Sequence, residues 1–159
     1  MYDYYGVPGV RELCHQIKNG IVPEKVMDEM ASWVNEGVLV PIPSHTGIPT
    51  YTETLAKGIS RRTGLKVYPV LTSNPHEPLY YNRDAELYMT TAWNKAMAIK
   101  LVTAKPKKVY LLDNVISTGK TFDTAKECLV NELGIQREII FPLVYAIERR
   151  SYERLHVRT

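Results

Sequence analysis

The stretch that decides the fold is Val109-Tyr110-Leu111-Leu112-Asp113-Asn114-Val115-Ile116-Ser117-Thr118-Gly119-Lys120-Thr121. Its first four residues are apolar without interruption, as in a parallel strand that is buried on both faces. The hydroxyl-rich turn 117–121 then opens a helix, where backbone N–H groups and the positive end of the helix dipole favour an anion. We therefore predict an anion-binding turn at 117–121, with Asp113 beside it at the carboxyl end of the strand.

Two other interpretations of this turn are less consistent with its spacing. Gly119-Lys120-Thr121 matches the end of a Walker A loop, but that motif requires glycine at position 114, where this chain has Asn114. An ordinary strand-turn-helix with a Ser or Thr N-cap needs only one hydroxyl and no preceding Asp-Asn pair. The combination of Asp113-Asn114 with Ser-Thr-Gly-x-Thr favours a ligand site over both.

Composition restricts the class of protein. The chain has 159 residues, of which 45% are apolar and 23% charged, which is typical of one soluble globular domain over 1–159. No apolar run is long enough to span a membrane and the amino terminus lacks signal-peptide character, so we expect a cytoplasmic protein. The formal charge of +3 suits a small anion and makes nucleic acid an unlikely partner. Cys14 and Cys128 fall in helical patterns and are expected to be buried thiols.

Hydrophobic periodicity predicts alternating helices and strands. Helices are expected near 10–20, 23–37, 50–64, 84–104 and 120–134, and strands at 38–42, 65–71, from 109, and at 138–147. Thr50 and Glu53 form a capping-box pattern, and in the 84–104 helix we expect Trp93 and Ile99 on the buried side, with residues 72–83 as a loop before it. Because parallel strands need crossover helices, this order predicts an α/β fold, a three-layer parallel sheet with helices on both faces.

A second loop, Pro43-Ser44-His45-Thr46-Gly47-Ile48-Pro49, also leads from a strand's carboxyl end into a helix. It repeats the arrangement of the anion-binding turn and makes Ser44, His45, Thr46 and Gly47 candidate ligand residues. The alternatives are that His45 is an exposed loop residue and that Gly47 serves only the turn.

The turn after Asp113-Asn114 resembles the phosphoribosyl pyrophosphate (PRPP) loop of type I phosphoribosyltransferases, and 43–49 resembles the pyrophosphate loop of orotate phosphoribosyltransferases. The likeness covers roughly positions 38 to 71 and 108 to 147 and implies that family's fold with a short C-terminal part. It implies that Asp113 and Asn114 hold the ribose hydroxyls, and that Ser117, Thr118, Gly119, Lys120 and Thr121 bind the 5′-phosphate. Ser44, His45, Thr46 and Gly47 would bind the pyrophosphate. Asn114 stands where the family usually has a second acid, and Thr46 where the orotate enzymes typically have a lysine.

Three further segments have roles that the resemblance implies and the residues leave open. His76 and Arg83 occupy the place of the family's mobile lid, although a solvated surface loop fits them equally well. Residues 1–20 are the candidate hood over a base, with Tyr2, Tyr4 and Tyr5 either stacking on the base or packing. The arginine-rich tail from Arg149 is a solvated face, a dimer contact or a phosphate-binding surface.

The resemblance implies an enzyme that transfers the 5-phosphoribosyl group of PRPP to a nitrogenous base, orotate-like or purine, with release of pyrophosphate. Mg2+ is the implied cofactor, held by the substrate with no direct protein ligand, and in contact with Asp113 through a water. A homodimer is expected. The alternative is a non-catalytic regulatory protein that binds PRPP or a nucleotide.

Overall fold

The computed structural model describes residues 1–78 and 86–148. The strands are β1 (Tyr2–Asp3), β2 (Val38–Pro41), β3 (Thr72–Ser73), β4 (Met89–Thr90), β5 (Val109–Ile116) and β6 (Ile140–Ile147). The helices are α1 (Val10–Lys18), α2 (Glu24–Ser32), α3 (Tyr51–Thr63), α4 (Lys95–Thr103) and α5 (Lys120–Leu133). Across the described residues, none of the helices has the length and apolar character that crossing a membrane requires.

Four of the strands form one parallel sheet in the order β1-β6-β5-β2. Val109 to Leu112 of β5 lie in register with β2 on one side and with β6 on the other, so this strand is central. The predicted α/β fold with a parallel sheet is therefore confirmed. Strand β1, which the sequence analysis did not anticipate, pairs with β6 at one edge, and β3 pairs with β4 in a separate antiparallel hairpin.

The side chains of β5 point alternately into two apolar clusters. Tyr110 and Leu112 pack with residues of α1, α2 and α3, whereas Val109 and Leu111 pack with residues of α4 and α5. This alternation follows from the two-residue period of a strand, and it explains why β5 is apolar at every one of these positions. Cys14 and Cys128 are buried free thiols, as predicted.

Four helices lie close to their predicted positions. Helices α3 and α5 end at Gly64 and Gly134, whose φ angles of +77° and +68° are left-handed. The capping box before α3 is a wrong prediction, because the Thr50 side chain makes no cap hydrogen bond. Instead, the Thr52 hydroxyl donates to the carbonyl of Ile42 at 2.7 Å and fixes the start of α3 to the chain that leaves β2.

Two predicted elements are corrected. The segment 65–71 does not form the predicted strand, and its contact with the sheet is one isolated parallel bridge between Val67 and Leu39. The 84–104 helix is wrong over its described first half, which contains β4 and a 3-10 turn. Helix α4 begins only after Asn94, whose side chain accepts a hydrogen bond from the N–H of Met97.

The buried side of α4 also differs from the predicted one. Trp93 and Ile99 are 53% and 65% exposed, and the helix buries Ala98 and Leu101 instead. Apolar residues occur on more than one side of α4, so the sequence pattern is compatible with more than one buried face. In the structure, Ala98 and Leu101 pack with the apolar residues of β2 and β5.

Candidate functional site

Asp113 lies near the carboxyl end of β5, opposite Val144 of β6. Its carboxylate accepts a hydrogen bond from the N–H of Asn114 at 2.8 Å. Removal from water raises the pKa of Asp113 to about 7, against the lowering effects of that hydrogen bond and of the Lys18 ammonium. The carboxyl group can therefore gain or lose a proton near neutral pH.

The turn 117–121 leads from the end of β5 into α5. Gly119 has a φ angle of +84° and precedes the first residue of α5, Lys120. The hydroxyl of Thr118 accepts a hydrogen bond from the Lys120 N–H at 3.3 Å, and the Gly119 carbonyl accepts one from the Asp123 N–H. A left-handed residue directly before a helix turns successive N–H groups toward the same side, which is a common way to bind an anion.

Asp113 and this turn line one pocket of about 300 Å³ at the carboxyl edge of the sheet. The structure thus brings together five of the predicted residues, namely Asp113, Ser117, Thr118, Gly119 and Thr121. Lys120, also predicted, opens α5 but does not line the pocket. The remaining walls come from Tyr5, Ile42, Val115, Ile116, Phe122 and Glu148.

Glu148 is a site residue that the sequence reasoning missed. The hydroxyl of Ser117 donates to its carboxylate at 3.1 Å, and the Glu148 N–H donates to the Ile116 carbonyl at 2.9 Å. The sequence does contain a signal for it. Glu148 directly follows the last apolar strand, and the carboxyl ends of neighbouring parallel strands lie at the same edge of a sheet, so Glu148 is expected near Asp113. The Ser117 hydroxyl in this turn therefore already has a carboxylate partner.

Asn114 is placed differently from the other predicted residues. It is only 5% exposed, its amide nitrogen donates to the carbonyl of Cys14 at 3.2 Å, and its amide oxygen accepts from the Val115 N–H at 2.9 Å. The side chain therefore joins β5 to α1 and is not among the residues that line the Asp113 pocket.

The second predicted loop is held by its own side chains and by the β3 segment. Ser44 is buried, and its hydroxyl lies 2.7 Å from that of Thr46. The carbonyls of Gly47 and His45 accept hydrogen bonds from the N–H groups of Ser73 and His76.

None of the residues 44–47 lines the Asp113 pocket, and neither does His76. The loop nevertheless follows β2, the neighbour of β5, so both loops leave the same edge of the sheet. The His76 ring nitrogen Nδ1 lies 2.9 Å from the Asn74 carbonyl. Arg83, the other predicted lid residue, lies outside the described residues, as does the tail from Arg149.

The amino-terminal segment forms part of the site wall. Tyr2 packs against Trp33 and Tyr145 and its hydroxyl donates to Glu29, so it is a packing residue. Tyr5 is 68% exposed and lines the Asp113 pocket. The ring of Tyr4 contacts that of Tyr5 edge-on, and both line a neighbouring cavity of about 480 Å³.

Within residues 1–78 and 86–148, no three His, Cys, Asp or Glu side chains cluster to hold a metal ion. Asp113 and Glu148 are the carboxylates that line the pocket. Oxygen donors suit Mg2+, which keeps several waters and takes much of its coordination from ligand phosphates. These residues fit an ion held mainly by a bound diphosphate.

Comparison with known proteins gives no further identification. No family model matches the chain, and no match was found among curated proteins or solved structures.

Proposed function

We propose that this protein transfers the 5-phosphoribosyl group of PRPP to a nitrogenous base and has the layered fold of type I phosphoribosyltransferases. The observation that carries the proposal is the shared pocket of Asp113 and the turn 117–121. A hydroxyl-binding carboxylate beside an anion-binding turn matches a sugar that carries a phosphate. The parallel sheet with helices on both sides supports the same assignment, since ligands of such sheets bind at the carboxyl edge.

The residues would act mainly by positioning. The N–H groups and hydroxyls of the turn hold the 5′-phosphate, and Asp113 accepts hydrogen bonds from ribose hydroxyls. The bond from the anomeric carbon to pyrophosphate breaks with its electron pair on pyrophosphate, the acceptor nitrogen bonds to that carbon, and the proton of the nitrogen leaves to water. The sugar becomes cation-like in this substitution, so alignment and a negative carboxylate nearby both lower the barrier.

When bound, Mg2+ would neutralise charge on the departing pyrophosphate. Asp113, as a carboxylate, is the residue placed to orient a water beside such an ion. The loop 44–47, at the end of the neighbouring strand, is the candidate contact for the pyrophosphate oxygens. To make that contact its N–H groups and the hydroxyls of Ser44 and Thr46 would have to exchange present partners for the ligand.

A regulatory protein that binds PRPP or a nucleotide without turnover is the second candidate. Two observations favour it. The Ser117 hydroxyl already donates a hydrogen bond to Glu148, and the Asn114 side chain is buried against α1, where it donates to the Cys14 carbonyl. Both reduce the groups available to an anionic sugar ligand in this arrangement.

The test is to incubate the full chain with PRPP, Mg2+ and a panel of bases, and to measure pyrophosphate. Release that depends on one base supports the enzyme, whereas PRPP binding without release supports the regulatory protein. Thr121→Val should weaken PRPP binding about tenfold by removing a hydroxyl from the pocket. The matched control is Thr124→Val in the same helix, because the Thr124 hydroxyl donates to the Lys120 carbonyl outside the pocket lining. Failure to bind PRPP would overturn the transferase, and failure to bind either PRPP or a nucleotide would overturn both candidates.

A further inference from the structure

Helix α4 leaves apolar side chains uncovered at the surface. It buries Ala98 and Leu101 in the core, whereas its Ile99 and Val102 are 65% and 44% exposed. A surface helix of a globular protein normally turns one apolar stripe to the core and polar residues to water. Ile99 and Val102 therefore form an apolar surface beyond what the fold itself buries.

These two residues line a cavity of about 510 Å³ between α4 and the end of α5. Leu133 contributes a further apolar side chain from α5. The acidic residue of the lining is Glu132, and its carboxylate accepts hydrogen bonds from the N–H and the hydroxyl of Thr91 at 3.0 Å and 3.2 Å. The carboxylate is thus held by the protein, and the groove offers a partner mainly hydrocarbon.

Trp93 adds a third exposed apolar side chain, directly before α4. It lies in the 3-10 turn Ala92–Asn94 and is 53% exposed, and its indole N–H donates to the Val70 carbonyl at 3.1 Å. That N–H is the one polar group of the ring, so the part of the ring that reaches the surface is hydrocarbon. A partner that covers Trp93 must therefore offer apolar contact.

Helix α4 and the segment after it carry only positive charges. No Asp or Glu occurs at positions 87–112. Exposed lysines occur there at four positions, Lys95, Lys100, Lys105 and Lys107. Within residues 1–78 and 86–148 none of the four forms a salt bridge, whereas Lys25 of α2 and Lys57 of α3 each pair with a glutamate one helical turn away. The four ammonium groups are therefore available to a negatively charged partner.

We infer that this surface docks on a membrane that contains anionic lipids. We call it the α4 face and define it by Trp93, Lys95, Ile99, Lys100 and Val102. Its apolar side chains would enter the boundary between headgroups and acyl chains, while the lysine stems lie along that boundary and their ammonium groups meet lipid phosphates. The contact is with the surface of the bilayer, because none of the described helices has the length and apolar character to cross one.

The inference is independent of the proposed transfer reaction. None of the residues of the α4 face lines the Asp113 pocket. That pocket lies at the carboxyl edge of the sheet, so a protein docked through α4 would keep it open to small molecules.

The charges of the α4 face also argue against two other kinds of partner. In a two-fold dimer the same surface meets itself, which would bring the lysines of two copies together. Interfaces with other proteins are enriched in arginine and depleted in lysine, whereas positions 84–136 contain no arginine. Lysines around exposed apolar side chains match a bilayer surface better than either of these partners.

The experiment measures sedimentation of the full chain with lipid vesicles. Vesicles of equal parts phosphatidylglycerol and phosphatidylcholine should bind at least tenfold more protein than vesicles of phosphatidylcholine alone, and high salt should abolish the difference. Ile99→Gln should weaken binding to the anionic vesicles about tenfold by removing an inserted side chain. The matched control is Ile21→Gln, because Ile21 is 64% exposed and lies outside the α4 face. Both side chains are at the surface, so both variants should keep the fold.

A second pair of variants tests the charge. Lys100→Gln should weaken binding to the anionic vesicles roughly fivefold, and Lys57→Gln, at an exposed lysine of α3, should leave it unchanged. No binding to anionic vesicles, equal binding to both kinds of vesicle, or equal effects of Ile99→Gln and Ile21→Gln would overturn the inference.

Two further results would assign the α4 face to a different partner and so would also overturn the inference. The first is a dimer, detected by analytical ultracentrifugation without lipid, that dissociates in Ile99→Gln. The second is binding of a synthetic acidic amphipathic helical peptide that Ile99→Gln abolishes, together with no binding to vesicles.

Discussion

The hydroxyl of Ser117, in the turn 117–121, donates a hydrogen bond of 3.1 Å to the carboxylate of Glu148. An incoming phosphate must displace this carboxylate or share the space with it, and two negative charges at such a distance repel each other. The contact therefore opposes anion binding in the arrangement described.

Replacing the charge at this position should strengthen anion binding. Glu148→Gln keeps the shape and removes the negative charge, so we expect PRPP to bind about tenfold more tightly, with the largest gain at low salt. Isothermal titration at two salt concentrations measures the effect, and Glu138→Gln, at an exposed glutamate away from the pocket, is the control. Weaker binding in Glu148→Gln would mean that the carboxylate itself accepts a hydrogen bond from the ligand.

Asn114→Asp should destabilise the fold, although it restores the acid that the resembled family usually carries. The change removes the amide donor to the Cys14 carbonyl and puts a negative charge at a position that is 5% exposed. We expect a loss of about 2 to 3 kcal/mol in the free energy of unfolding at pH 7. Urea denaturation measures it, with Asn131→Asp on the exposed side of α5 as control. Unchanged stability together with faster turnover would show that this side chain turns to the ribose.

Asp113→Asn should change how stability depends on pH. The pKa of Asp113 is raised from 3.8 to about 7 in the folded protein, so the folded state keeps a proton that the unfolded state loses, and stability falls as pH rises from about 4 to about 7. Between pH 5 and pH 8 this one group should remove about 2.5 kcal/mol. The variant should lack that loss and should also lose PRPP binding. A stability difference between the two proteins that stays constant with pH would contradict the assignment.

Gly47→Ala, in the loop 43–49, should lower the free energy of unfolding by more than the strain of its positive φ angle alone. Gly47 has a φ angle of +101°, and an added Cβ would lie 2.7 Å from the Ser73 carbonyl oxygen. Gly64→Ala is the matched control, because Gly64 also has a positive φ but has no atom within 4 Å of an added Cβ. We expect a loss of about 1 kcal/mol for the control from backbone strain and roughly 1 to 3 kcal/mol more for Gly47→Ala from the contact. If thermal unfolding gives the same loss of stability for Gly47→Ala and Gly64→Ala, the loop can shift away from β3 at no cost and the contact with Ser73 does not matter.

The sequence was sufficient for the central strand and the turn because several signals agree there. Continuous apolar residues, a polar strand end, Gly119 and a helical period all occur within a few positions of one another. The same agreement is missing at 65–71, where apolar residues alone favour a strand and the segment makes a single bridge.

The roles of individual side chains depended on packing that no local pattern reports. Asn114 follows Asp113 directly, yet successive residues of a strand point to opposite sides, and the amide meets α1, a hundred positions away in sequence. Glu148 directly follows β6 and contacts Ser117, 31 positions earlier in the sequence. The pairing of β1 was equally unpredictable, because two residues carry too little periodicity to define a strand.

The pairing of Tyr2 with Ala146 has a consequence for the order of folding. These residues lie near opposite ends of the described chain, and the closure of so long a loop is slow relative to local helix formation. During synthesis the ribosome must release β6 before β1 can join the sheet. Tyr4 and Tyr5, which continue from β1, reach their positions only after that step, so the cavities they line are completed after β6 has formed.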